Sequence, residues 1–154
     1  MKVSKRTVKR SIVALLITFG VIQLVPVART NPPVESEVPA TAEVRTILRR
    51  ACYDCHSHET IWPGYSRIAP LSWLVVYDVS EGREELNFST WNRLTPEAQL
   101  KAKRESWKEI EEGEMPPWLY LPAHPAARLS ANDRAALRAW ALAGENPPVS
   151  VSTR

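Results

Sequence analysis

Cysteine is almost missing from this chain: Cys52 and Cys55 are the only two in 154 residues. Methionine is as scarce, with Met1 and Met115, and histidine is limited to His56, His58 and His124. Each shortage narrows the chemistry. A structural zinc site needs four ligands, and beyond the two cysteines and the adjoining His56 only His58 and His124 remain to complete one. No basic patch interleaved with aromatics is present, so nucleic acid is not an expected partner. The sequence pI of about 9.0 misleads here, because Lys2, Lys5, Arg6, Lys9, Arg10 and Arg29 crowd one end. From Asn31 onward 14 basic residues face 17 acidic ones, a net charge of −3. Glycine is sparse as well, at five residues, against 13 prolines and six tryptophans. That balance describes a small domain with much irregular chain around aromatic anchors. A flat cofactor would supply core area that so small a domain lacks.

What is present centres on Cys52-Tyr53-Asp54-Cys55-His56. Two cysteines three apart with a histidine directly after the second is the spacing of covalent c-type haem attachment. Positions i, i+3 and i+4 share one face of a helical turn. Both sulfurs can therefore reach a porphyrin edge as thioethers while the imidazole ligates the iron. The competing readings are a redox dithiol or disulfide pair and zinc. The absence of any βαβ pattern and the histidine in register favour haem.

Residues 1–11 are cationic, and Ile12 to Val25 are apolar apart from Thr18, Gly20 and Gln23. This is the layout of a secretory signal, and the 17 residues from Ile12 to Ala28 reach the lower limit for a span. Pro26 and Arg29 crowd the positions where cleavage would fall. The expectation is an uncleaved signal-anchor over 1–28, leaving the remainder outside the cytoplasm: a bacterial inner-membrane protein whose domain faces the periplasm. Residues 29–40, with three prolines, read as an extended tether.

The domain is expected over 41–146, with a flexible tail at 147–154. Thr41 caps a helix whose Val44, Ile47, Leu48 and Ala51 follow the 3.6-residue period into the motif; Arg45, Arg49 and Arg50 take its outer face. Ser57 to Pro70 reads as loop, and its Pro70 carbonyl is a candidate acceptor for the second ring nitrogen of His56. A short helix over Ser72–Val79 offers Trp73, Leu74, Val76 and Tyr77 to the core, with Gly82 as its stop. Asn87-Phe88-Ser89 makes a turn before Trp91. Thr95-Pro96 opens a helix that runs to Glu112 and ends at Gly113 in the left-handed region. Leu100, Trp107 and Ile110 give it a thin apolar stripe. Ser130 and Asp133 form a capping box for a last helix with Leu137, Trp140 and Ala141 inward, stopped by Gly144 and Pro147-Pro148.

An iron with one protein ligand binds small molecules, whereas one with two mainly carries electrons. On the anchor reading Met1 lies across the membrane, so Met115 is the domain's one methionine. It is borne on a loop, and Pro116-Pro117 restrict its backbone. His124 is the other residue distant enough to reach the opposite face; His58, two past His56, points elsewhere. Met115 is the expected sixth ligand, with His124 or an open position as alternatives.

The order of parts, a helix entering Cys-x-x-Cys-His, a loop, a Met-Pro and a closing helix bearing Trp140, resembles the class I c-type cytochromes. The stretches CYDCHSHET, WPGYSRIAP, SWL, DVSEGREELNFSTW, GEMPPWLY and HPAARLS are similar to a family of small, membrane-targeted bacterial haem-binding-domain proteins. The likeness covers about Thr41 to Trp140. It implies an all-α, cytochrome c-like bundle of about four helices with long Pro-rich loops around one haem c. His56 and Met115 would be its iron ligands. The expected function is one-electron transfer by a protein that is not an enzyme, with redox protein partners that the sequence does not name. A haem-based sensor with an open distal position is the alternative. A peroxidase-like role has little support, since no distal arginine–histidine pair is evident.

Overall fold

A computed structural model describes residues 4–143. The expected tail at 147–154, the domain end at 146, the stop at Gly144 and Pro147-Pro148, and Met1 and Lys2 lie outside the described residues. Among the described residues all regular structure is helical. The helices are α1 (Lys5–Ile22), α2 (Ala42–Ala51), α3 (Tyr53–His56), α4 (Leu71–Glu85), α5 (Pro96–Glu112) and α6 (Ala131–Leu142), with short 3₁₀ turns between them.

Local chemistry sets the boundaries of α2, α5 and α6. The Thr41 hydroxyl accepts from the Val44 amide, Thr95 from Ala98 with Pro96 in the first turn, and Ser130 shares a reciprocal capping box with Asp133. Each cap satisfies amides that the first turn leaves unpaired. Gly113 ends α5 at φ 85°, a conformation glycine adopts without a Cβ clash. Val44, Ile47, Leu48 and Ala51 bury the inner face of α2, as the period requires. Val44, Ile47 and Leu48 meet Tyr53, Phe88, Trp91, Ile110, Leu137 and Trp140 in one core.

Two expectations need correction. Gly82 does not stop the fourth helix, which starts at Leu71 and runs on to Glu85. Its buried positions are Ser72 and Val79, while Leu74 and Tyr77, expected inside, are 51% and 60% exposed. Gly82 is there for close approach: a Cβ on it would lie 2.8 Å from the Cys55 carbonyl oxygen and 3.0 Å from the Cys55 Cβ.

Residues 29–40, the expected tether, form an extended strap bound along the domain. Val38 is buried to 1% exposure within the core. The Pro39 carbonyl accepts from Trp140 Nε1 at 3.0 Å, and the Ser89 carbonyl accepts the Glu35 and Ser36 amides. Arg83 donates to the Thr30 carbonyl and the Asn31 side chain at 2.9 and 3.0 Å, and also to the Ser57 carbonyl at 2.7 Å. A loose tether would tolerate a charge at Val38; a core strap will not. Val38→Asp is expected to cost about 3 kcal/mol or more, read as a lowered thermal midpoint. An unchanged midpoint would return the strap to the status of a tether.

At the N-terminus, α1 buries no residue. It begins with Lys5, Arg6, Lys9 and Arg10 inside its first two turns and ends at Ile22, short of the expected boundary at 28. Among the described residues no helix is long and apolar enough to cross a membrane. The chain turns at Gln23, whose side chain donates to the Ala69 carbonyl at 3.1 Å and accepts the Ala69 amide at 2.9 Å.

Candidate functional site

The motif occupies the junction of α2 and α3. Cys52 leaves helical geometry (φ −128°, ψ −34°), so the expected single helix is two helices meeting at the first cysteine. The Cys55 and His56 amides still donate to the Cys52 carbonyl, at 3.2 and 2.9 Å, which closes one turn. Cys52, Cys55 and His56 therefore come together as the spacing requires.

His56 is fixed through Nδ1, which donates to the Gly82 carbonyl at 2.7 Å and lies 3.1 Å from that of Leu86. The acceptor is therefore not the expected Pro70 carbonyl. That expectation fails because α4 runs past the motif and brings its own C-terminal carbonyls to the imidazole. The Gly82 carbonyl also accepts the Leu86 amide at 3.0 Å, and its second lone pair serves the imidazole. Phe88 packs edge-on to the imidazole at 6.4 Å, itself stacked between Tyr53 and Trp91. With the proton held on Nδ1, the Nε2 lone pair is available, and it forms no hydrogen bond among the described residues. This is the tautomer and orientation of a metal-bound imidazole.

The two thiols are free. Burial pushes Cys52 up to about 12, with the neighbouring Cys55 adding to it. Burial, then the charges of Asp54 and Asp78, pushes Cys55 up to about 11. A dithiol exchange pair needs the reverse, since the thiolate is the nucleophile. Among the described residues no group of three or more His, Cys, Asp or Glu side chains is placed to hold a metal ion.

The other sequence candidates divide. His58 is committed elsewhere, donating from Nδ1 to the Pro33 carbonyl at 2.8 Å and accepting from Asn87 at Nε2. Met115 follows α5; its amide donates to the Glu109 carbonyl at 3.2 Å and the residue is 36% exposed. No hydrogen bond joins it to the motif. His124 does come near, through neighbours that the sequence reading did not include. It stacks on Tyr120 at 3.8 Å, and the Tyr120 hydroxyl donates to Asp54 Oδ2 at 2.7 Å, inside the motif. The Tyr65 hydroxyl approaches His124 Nε2 at 3.5 Å. Burial, and then the bond to Asp54, raises the Tyr120 phenol above its ordinary range.

A carbonyl-locked imidazole with a free Nε2, on the same turn as two protonated cysteines, defines a haem-binding helical module. The chain belongs to a family described as a haem-binding domain, whose model matches residues 17–143. The matched stretch includes the strap and ends with α6, in agreement with their packing as one unit. Searches of the curated proteins and of the solved structures give no match.

Proposed function

We propose that this haem-binding protein is a one-electron carrier whose haem is of the c type, held through thioether bonds by Cys52 and Cys55. His56 is one axial ligand and Met115 the other. The carrying observation is the His56 imidazole, held by the Gly82 carbonyl at 2.7 Å with its other nitrogen free. The bound haem supplies the change between ferric and ferrous iron. Around it, Gly82 and Leu86 hold the His56 proton and fix the ring, and Phe88 and Tyr53 keep water from that side. A thioether from Met115 would raise the potential relative to a second imidazole and exclude water from the iron. The cationic, apolar N-terminal segment supports export and retention at the bacterial inner membrane with the domain outside. Gln23 and the strap would then hold that domain close to the bilayer, facing redox proteins. No enzymatic step is assigned.

A second reading has one observation in its favour. The 36% exposure of Met115 suits a weak ligand or none, and with it a sensor that takes up small molecules. Absorption spectra with and without carbon monoxide decide between the two. The carrier should be six-coordinate and low-spin in both oxidation states, with the weak far-red sulfur-to-iron band when oxidised. Met115→Ala should abolish that band and open the iron to carbon monoxide. Wild-type ferrous protein that is five-coordinate and binds carbon monoxide at once would replace the carrier by the sensor.

A further inference from the structure

The segment that carries Met115 is tied at both ends. At its start, the Glu114 and Met115 amides both donate to the Glu109 carbonyl, at 2.9 and 3.2 Å, as Gly113 turns the chain out of α5. Pro116 and Pro117 then restrict the backbone, and the Tyr120 amide closes a turn on the Pro117 carbonyl at 3.0 Å. At its end stands the 2.7 Å bond from the Tyr120 hydroxyl to Asp54 Oδ2, across 66 residues of sequence.

Asp54 is itself held firmly. Its Oδ1 accepts the Ile61 amide at 2.9 Å and its carbonyl accepts the Thr60 hydroxyl at 2.7 Å. It lies between the two cysteines, so a movement of Asp54 is a movement of the motif. The far side of the loop is secured separately: Arg50 donates to the Ala126 carbonyl at 2.5 Å and pairs with Asp133 at 2.6 Å. Tyr120–Asp54 is thus the tie nearest to Met115 that reaches the motif itself.

We propose that the Tyr120–Asp54 bond is a latch that pins the 114–120 loop to the motif and, on the Met115 reading, would keep that loop closed over the open side of a bound iron. Tyr120 acts as a positioning residue for the sixth ligand. The inference rests on the Met115 reading for the identity of that ligand, but the latch is a property of the loop. A bond from a neutral hydroxyl to a carboxylate is strong enough for its loss to shift an opening equilibrium about tenfold.

The test is Tyr120→Phe in the full-length haem-loaded protein, which keeps the ring stacked on His124 and removes only the hydroxyl. Imidazole titrated into the oxidised protein is expected to bind about tenfold more tightly. The amides of Met115 and of residues 118–121 should exchange faster, while those of α5 and α6 remain unchanged. In an Asp54→Ala background the same substitution should add less than twofold, because the partner is already gone. Equal imidazole affinity in wild type and Tyr120→Phe would overturn the latch, as would an undiminished effect in the Asp54→Ala background. The two readings separate cleanly. A far-red band with no effect of Tyr120→Phe keeps Met115 and removes the latch. Absence of the band together with a tenfold gain in affinity keeps the latch and removes Met115.

Discussion

Gly82→Ala should destabilise the domain by about 3 kcal/mol, lowering its thermal midpoint by roughly 10–20 °C, and should impair haem loading as well. The added methyl would sit 2.8 Å from a backbone oxygen and 3.0 Å from the Cys55 Cβ. Neither neighbour is the tip of a flexible chain that could swing aside, so α4 must back away from α3. The same shift pulls the Gly82 carbonyl from His56 Nδ1, now 2.7 Å away, and frees the imidazole to rotate. Helix propensity predicts the opposite sign, since alanine within a helix gains roughly 1 kcal/mol over glycine. A rise in midpoint with normal haem uptake would therefore show that the contact between α4 and the motif has room for a methyl group.

The second large effect concerns the sulfurs. Acid–acetone extraction of denatured wild-type protein should leave haem on the polypeptide, with the mass of one haem added. Cys52→Ser or Cys55→Ser should leave a single thioether bond or an unstable product, and the double substitution should release all haem into the organic phase. Release of haem from wild-type chain would end the covalent proposal while leaving His56 as a ligand. The sign follows from thioether bonds surviving a treatment that breaks iron–ligand bonds. It does not depend on how the distal side is closed.

Reading the chain without its structure succeeds where the controlling interaction is short in sequence. Thr41, Thr95 and Ser130 each cap a helix by bonding an amide three residues on, and such signals are written locally. The same holds for the burial stripe of α2 and for Cys52, Cys55 and His56, which share a single turn. The packing of the strap is not legible locally, because proline-rich, charge-flecked chain resembles a linker. What binds it is Trp140, about a hundred residues away, together with Arg83 and Ser89. Gly82 is ambiguous for a related reason. A glycine within a helical stretch signals either an end or a close approach, and only the position of Cys55 decides which. Tyr120 and Asp54 carried no local sign at all. A tyrosine in a proline-bounded loop and an aspartate between two cysteines acquire their relation only when the loop folds back.

The bond between Trp140 Nε1 and the Pro39 carbonyl also has a temporal meaning. It joins the strap just before α2 to the last described helix, so the core around Val38 cannot close until nearly the whole domain has emerged. Contacts of such sequence separation carry a loop-closure cost and form late. In the closed domain both cysteines are partly buried, and that burial raises both thiols above their ordinary acidity constant. Until the core that holds Val38 is seated, the thiols lack that burial and are easier to deprotonate.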